Sequence, residues 1–489
     1  MIRQRQQVGL LLGTAISLVG LPMAAIAEDE IVRWDLTPYV SLSQIYTDNV
    51  GLRPPGQEDR EHITQTDIGF SLAREGSRAN ANMAYNLQHF AYWRDDRRNN
   101  TFHQFAGEGQ FEAVAEHLFL DARATYSQRL QSRRDNVAVD NVNSFAANDR
   151  SDVLTWRISP NYIQRMGNVA TGRLRYSHER VDFQDSSVDE FSSETDRVSA
   201  NLDSGTMFST ISWGLSFQRS ETDYKDGSAV TFQTAEALLR LNVTDRLSLF
   251  AAGGEEDNEF EQDASRARPD DTFWRAGFNW QPGSRTDMEA YYGERFFGET
   301  FGGSFNHRFR NSEFSMEYSE GLMTVTDFDI DRVVIPIVDD AGSPVIVDGN
   351  PVFMELEIPD LQTGVYLRER FSLGFSGERR KLSWSLRGFN ERREFELTDR
   401  SERLKGVGTN LAWRIGARTR LLLNGRVQET TYQEDDREDE YYIYGTGLQR
   451  DAGPNTSVAL NYRYTERTSN QPGNEFVENR VTASFRKTF

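Results

Sequence analysis

The chain has 489 residues, a net charge of −20, 12% aromatic residues and no cysteine. The lack of cysteine excludes a disulfide framework and thiolate metal sites. The acidity speaks against nucleic acid as a partner, because a phosphate backbone wants positive surface.

At the N-terminus, Arg3 and Arg5 precede an uncharged run from Val8 to Ala27 that ends in Ala25-Ile26-Ala27. This is the pattern of a secretory signal peptide, with cleavage expected after Ala27. The alternative is a membrane anchor; against it, Gly13, Gly20 and Pro22 break the apolar core and Glu28-Asp29-Glu30 follows at once. The expected organisation is a signal peptide over 1–27 and a single barrel over 28–489, since no linker or composition break divides the remainder. No plug domain is expected ahead of the first strand, which speaks against a receptor-type active transporter.

Beyond that segment nothing approaches the ~18 consecutive apolar residues of a membrane helix, and mean hydropathy is −0.64. A β-barrel escapes the inference to a soluble protein, because only alternate residues of each strand face lipid. From Asp35 onward, alternating apolar and polar segments are separated in turn by short turns and long polar loops. The short class comprises Glu75-Gly76-Ser77, Glu116-His117, Gly167-Asn168, Ser204-Gly205, Thr244-Asp245, Pro282-Gly283-Ser284, Asn311-Ser312, Gly377-Glu378, Gly416-Ala417-Arg418 and Asp451 to Asn455. The long class lies near 49–60, 95–101, 133–150, 186–192, 223–228, 257–271, 297–302, 327–362, 396–403, 433–439 and 468–475.

Short turns on one side and long loops on the other are the pattern of an outer-membrane barrel. The fold expected is all-β: a single transmembrane antiparallel up-and-down barrel of about 22 strands (about 18 to 24 allowing for one misread hairpin) in a bacterial outer membrane. A large soluble β-protein is the competing reading. The lipid-facing parity is clearest in Leu382, Trp384 and Leu386, in Trp274, Ala276, Phe278 and Trp280, in Val458, Leu460, Tyr462 and Tyr464, and in Leu118, Leu120, Ala122 and Tyr126. The chain ends on Phe489, with Phe485, Ala483 and Val481 at alternate positions, which looks like the strand read by the barrel assembly machinery. Lys487 departs from that pattern, and a lysine near the interface can snorkel.

Only Lys225, Lys381, Lys405 and Lys487 are lysines among 55 Lys+Arg, so arginine, whose planar fork suits carboxylate, phosphate or fixed pairing, carries nearly all the positive charge. The parity opposite the lipid-facing one collects Arg123, Arg129, Arg157, Arg173, Arg175, Arg240, Arg275, Arg368, Arg370, Arg387, Arg414, Arg426 and Arg463 as candidate pore-lining residues. Several lie near short turns, so the positive zone is expected in the periplasmic half. One reading is a ladder in which these arginines pair with inward acids such as Asp121 and Glu236 and stiffen the wall. The other is a conduit for an anionic solute, since arginine rings in a wet pore favour anions.

The acidic run from Gln433 to Glu440 reads either as a solvated loop or as a divalent-cation site beside lipopolysaccharide. In the 327–362 loop, Val333 to Val338 and Val345 to Val347 flank Asp339-Asp340-Ala341-Gly342, which predicts an extra hairpin acting as a constriction or lid. His62, His89, His103, His117, His178 and His307 are scattered, with no metal-binding spacing. No catalytic residue, metal site, cofactor or enzymatic activity is expected.

The opening run Trp34-Asp35-Leu36-Thr37-Pro38-Tyr39-Val40, with Tyr46-Thr47-Asp48-Asn49-Val50-Gly51-Leu52, resembles the start of a family of outer-membrane proteins associated with the PEP-CTERM/exosortase system. The resemblance implies a role beside exopolysaccharide export, with the barrel as the exit for an extracellular polysaccharide. The partners expected are outer-membrane lipid and lipopolysaccharide, the assembly machinery through Phe489, an anionic polysaccharide and periplasmic export components. A general anion porin, and a structural or adhesive surface barrel with an occluded lumen, stay open as alternatives.

Overall fold

Alternating apolar and polar residues form strands of 10 to 17 residues, each able to cross a bilayer when tilted. The computed structural model describes residues 33–130, 140–143, 150–184, 191–266, 268–324, 346–347, 350–351, 364–398 and 400–489. The expected signal peptide and the Val333–Val338 arm of the expected hairpin lie outside these, as do the side chain of Arg129 and most of the 327–362 loop.

In chain order the strands are β1 Arg33–Thr47, β2 Glu61–Glu75, β3 Ala79–Tyr92, β4 Asn100–Val114, β5 Leu118–Leu130, β6 Arg150–Met166, β7 Ala170–Phe183 and β8 Ser193–Ser204. Next come β9 Ile211–Tyr224, β10 Ala229–Thr244, β11 Leu247–Glu259, β12 Asp271–Gly283, β13 Thr286–Arg295, β14 Gly298–Arg308 and β15 Ser312–Thr324. A separate two-residue pair follows, β16 Ile346–Val347 with β17 Asn350–Pro351. The wall then resumes with β18 Val365–Arg379, β19 Leu382–Phe395, β20 Ser401–Arg414, β21 Thr419–Tyr432, β22 Arg437–Gly453, β23 Thr456–Ser469 and β24 Phe476–Thr488.

Each wall strand pairs antiparallel with its neighbours, and β24 pairs back onto β1 (Leu42 opposite Phe485), so 22 strands close into one barrel without an edge. The two faces separate by parity. Leu36, Leu42, Leu215, Leu239, Leu386, Leu460 and Phe485 are large apolar residues exposed on the outside. Their chain neighbours point into the lumen, where the buried residues of the upper wall include Glu391, Glu402, Asp439, Arg467 and Glu478. An apolar exterior around a charged interior is the reverse of a soluble sandwich, and requires lipid outside.

Two expected connections differ. The β18–β19 turn lies at Arg380-Lys381 rather than Gly377-Glu378, because Gly377 and Glu378 still pair with Trp384 and Ser383; Arg380 takes the turn with φ +57°. The expected long loop at 297–302 is mostly strand, and only Phe296-Phe297 join β13 to β14. The Asp, Glu and Gly content that marks loops elsewhere was misleading there. Glycines face the lumen under aromatic rings: a Cβ on Gly302 would meet the Tyr291 ring at 2.3 Å, and one on Gly406 the Phe389 ring at 2.4 Å.

Candidate functional site: the barrel lumen

Strand parity puts Arg123, Arg157, Arg173, Arg175, Arg240, Arg275, Arg368, Arg370, Arg387, Arg414, Arg426 and Arg463 on the inner face, together with the backbone position of Arg129. They fall into two zones. Arg173, Arg387 and Arg414 lie near the short-turn ends of β7, β19 and β20, and with Arg123 and Arg175 they are exposed to the lumen. Among the described residues Arg173, Arg240 and Arg414 form no ion pair.

Others are tied to acids on the adjacent strand or on the next but one. Arg175 meets Asp121 at 2.5 Å, Arg275 meets Glu236 at 2.8 Å and Arg157 meets Glu179 at 2.7 Å. Arg370 meets Glu391 at 2.5 Å, whereas Arg426 donates to the neutral amide of Gln428 on its own strand at 2.9 Å. The wall is thus partly the stiffening ladder and partly lumen-exposed cation, and Arg175, exposed yet held by Asp121, belongs to both.

The extracellular half holds arginines that the sequence reading did not single out. Asp439 accepts from Arg437 at 3.1 Å and from Arg467 at 3.0 Å, Arg393 meets Glu391 at 2.5 Å, and Arg400 meets Glu402. All of these are buried. The pattern has a chain signature: arginine and carboxylate two residues apart share a face of a strand, as in 391/393, 437/439 and 478/480.

The preference for arginine over lysine has a geometric cause. Flat guanidiniums lie on inner-wall rings, which in turn lie over glycines. Arg486 stacks 3.5 Å from the Tyr39 centroid above Gly69, Arg275 sits over Phe250 and Tyr291, and Arg370 sits over Phe389 above Gly406. A lysine ammonium has no plane to stack.

Two segments narrow the extracellular mouth from roughly opposite arcs of the wall. The stretch after β11 reaches past β12–β15 to the end of β19: the Asp263 amide donates to the Glu396 carbonyl at 2.9 Å, and Arg266 donates to the Phe395 carbonyl at 3.0 Å. Phe260 packs there against Tyr224, Val230 and Val365.

On the other arc, residues 140–143 of the β5–β6 connection fold inside against β23, β24 and β1–β4. Val142 is buried among Ile45, Val50, Ile63, Phe90, Tyr92 and Phe102, and the Tyr92 hydroxyl donates to its carbonyl at 2.8 Å. Asn143 donates to the Val50 carbonyl at 3.0 Å and to Glu478 at 3.2 Å. Asp140 binds Arg463 at 2.8 Å and Arg480 at 2.7 Å. Burial raises the Asp140 carboxyl, but the two guanidiniums outweigh it and hold it well below the usual carboxylate range. The constriction expected from 327–362 thus has a described counterpart in a different loop.

Outside, Glu429, Glu438 and Glu440 bring one carboxylate oxygen each within 4.8 Å of the others. Lys405 sits on Glu429 at 2.7 Å, and the Tyr442 hydroxyl donates to Glu440 at 2.6 Å, which accounts for the group as interfacial pairing.

These features define a bacterial outer-membrane β-barrel whose lipid-facing belt surrounds an arginine-rich lumen. No family model and no curated protein sequence matches the chain. Solved structures do share its fold. The FrpB iron transporter from Neisseria meningitidis (F5-1 variant) is 11% identical with a TM-score of 0.52, covering 93% of this chain and 83% of that one. The F3-3 variant of the same transporter gives 10% and 0.51, over 93% and 82%. The siderophore receptor PirA from Pseudomonas aeruginosa is 10% identical with a TM-score of 0.44, over 93% and 80%.

Proposed function

We propose that the barrel is a conduit for an anionic solute or acidic polymer, and that it serves as the outer-membrane exit for an extracellular polysaccharide, the role implied by the resemblance of its first hairpin to outer-membrane proteins associated with the PEP-CTERM/exosortase system. The observation that carries this reading is the set of lumen-exposed arginines Arg123, Arg173, Arg175, Arg387 and Arg414 in the periplasmic half. A wall of 22 strands encloses more space than its own side chains fill. Fixed cations lining water attract anions and slow cations. A polymer leaving the cell would meet this zone first and the narrowed mouth last. Lipopolysaccharide around the acidic rim, the assembly machinery at Phe489 and periplasmic components at the short turns are the partners this reading supplies.

A general anion porin shares the same wall and differs in permeant. The test is conductance of the refolded mature chain in planar bilayers, with a salt gradient for selectivity and then an acidic polysaccharide added on the short-turn side. Anion selectivity with current block by the acidic polymer, but not by a neutral one of equal size, supports the exit. Anion selectivity without block supports the porin, and cation selectivity refutes both. A silent barrel favours the structural or adhesive reading.

A further inference from the structure

We infer that Arg463 and Arg480 form a carboxylate-binding site in the inner wall that the chain fills with its own Asp140, so that a carboxylate-bearing ligand competes by displacing the Asp140–Asn143 turn. The inference deepens the conduit reading and rests on it for the identity of the ligand. Asp140 belongs to the connection between β5 and β6, yet its partners stand on β23 and β24, well around the ring. Arg480 donates through Nη1 to both oxygens at 2.8 and 2.7 Å, and Arg463 adds Nη2 at 2.8 Å. Convergence of two guanidiniums on one carboxylate is the arrangement that recognises free carboxylates.

The wall builds this site independently of the turn. Glu478 holds Arg480 at 2.7 Å and is itself held by the Thr47 hydroxyl at 2.7 Å. Without Asp140, the pair would carry an excess of positive charge over Glu478, with Arg480 4% exposed and the Arg463 side chain 23% exposed. A further buried donor, Arg463 Nε, has no hydrogen-bond partner among the described residues. The remainder of the turn carries no charge of its own: Val142 sits in its apolar cluster, Asn141 donates to Gln88 at 2.9 Å, and Asn143 donates to Glu478 at 3.2 Å and accepts from Arg480. A ligand carboxylate that takes the place of Asp140 removes the turn's one ionic contact and leaves it held by the Val142 cluster and the two asparagines. Uronates, whose carboxylates recur along a chain, are the class that fits a site set in the wall of an export path.

The chain has no cysteine, so Val142→Cys installs a unique reporter at a position 4% exposed, and Asn141→Cys is a second. In vesicles, the rate of labelling by an impermeant maleimide is compared with Asp226→Cys on an exposed loop. Both reporters are expected to label roughly tenfold or more slowly than the control, as protected sites do when opening precedes reaction. Oligogalacturonate should accelerate them several-fold, while neutral oligosaccharide and sulfate should not. Asp140→Ala should raise the basal rate and abolish the acceleration.

Labelling as fast as the control overturns the docked turn. A rate raised by Asp140→Ala but indifferent to oligogalacturonate makes Asp140 a permanent strut and overturns the site. Equal acceleration by sulfate overturns the carboxylate assignment. Ligand-dependent labelling in a barrel that conducts nothing would leave the site standing while the conduit reading fails.

Discussion

Replacing Asp439 by alanine removes a carboxylate shared by Arg437 and Arg467. The side chains of Arg467 and Asp439 are 0% and 1% exposed, and that of Arg437 is 7% exposed, so the water screening that leaves surface ion pairs worth about 0 to 1 kcal/mol is missing. Breaking a buried pair by deleting one partner costs about 3 to 5 kcal/mol, because the remaining charge stays desolvated. The rings beneath, Tyr432 under Arg437 at 5.6 Å and Tyr441 under Arg467 at 5.4 Å, are present before and after and cancel from the difference. The expected loss is therefore about 3 to 5 kcal/mol, concentrated in the extracellular half of β22 and β23. It is read by reversible denaturant unfolding of the barrel in vesicles, followed by tryptophan fluorescence. A companion variant with Asp439→Leu, Arg437→Met and Arg467→Met removes all three charges together and should recover to within about 1 kcal/mol of the parent, since an apolar replacement carries no stranded charge. A loss below about 1 kcal/mol for Asp439→Ala would refute the reasoning, because it would mean that water reaches the pair.

Three further outcomes are expected. Arg387→Gln with Arg414→Gln should lower the anion-to-cation permeability ratio in a bilayer with little change in stability, as both side chains are exposed to the lumen; an unchanged ratio places the selective zone elsewhere. The Asp140 carboxyl is depressed in the folded state, so its contribution is present above its unfolded value of about 3.9 and is lost only as pH falls through the lower folded value. The rate of Val142→Cys labelling relative to the Asp226→Cys control, which divides out the falling thiolate fraction, should accordingly stay constant from about pH 8 to about pH 5, and a rise in that ratio as pH falls through that window would contradict the ion-pair geometry. Leu215→Arg, on the lipid face and 50% exposed, should cost about 2 to 4 kcal/mol near the bilayer midplane. The adjacent inward Ser216→Arg should change stability by about 0.5 kcal/mol or less, and equal costs would mean that the two faces are misassigned.

The barrel was legible because its two solvents write themselves on alternate residues. Leu382, Trp384 and Leu386 against Ser383, Ser385 and Arg387 say which side meets lipid, and the alternation of short and long connections says that the sheet returns to where it began. The same parity put Arg175 and Asp121, and Arg275 and Glu236, on the inner face, and the registers through the intervening β6 and β11 bring each arginine to its acid two strands away. The misplaced β18–β19 turn shows the limit of composition: Gly377 is a strand residue whose missing Cβ makes room for Trp384, and Arg380 makes the turn instead.

What depends on contacts between distant parts of the chain left no periodic trace. Nothing around Asp140 announces that it will meet Arg463 and Arg480, more than 300 residues away in sequence. Burial of Arg467 and Glu402 is likewise decided by what folds over them, not by their own strands. Alternation along a strand is a local property and survives in the sequence alone. The height at which an arginine is solvated or buried, and the loop that enters the lumen, are set by closure of the ring, which brings β24 to β1 and gives Asp140 a wall to dock against.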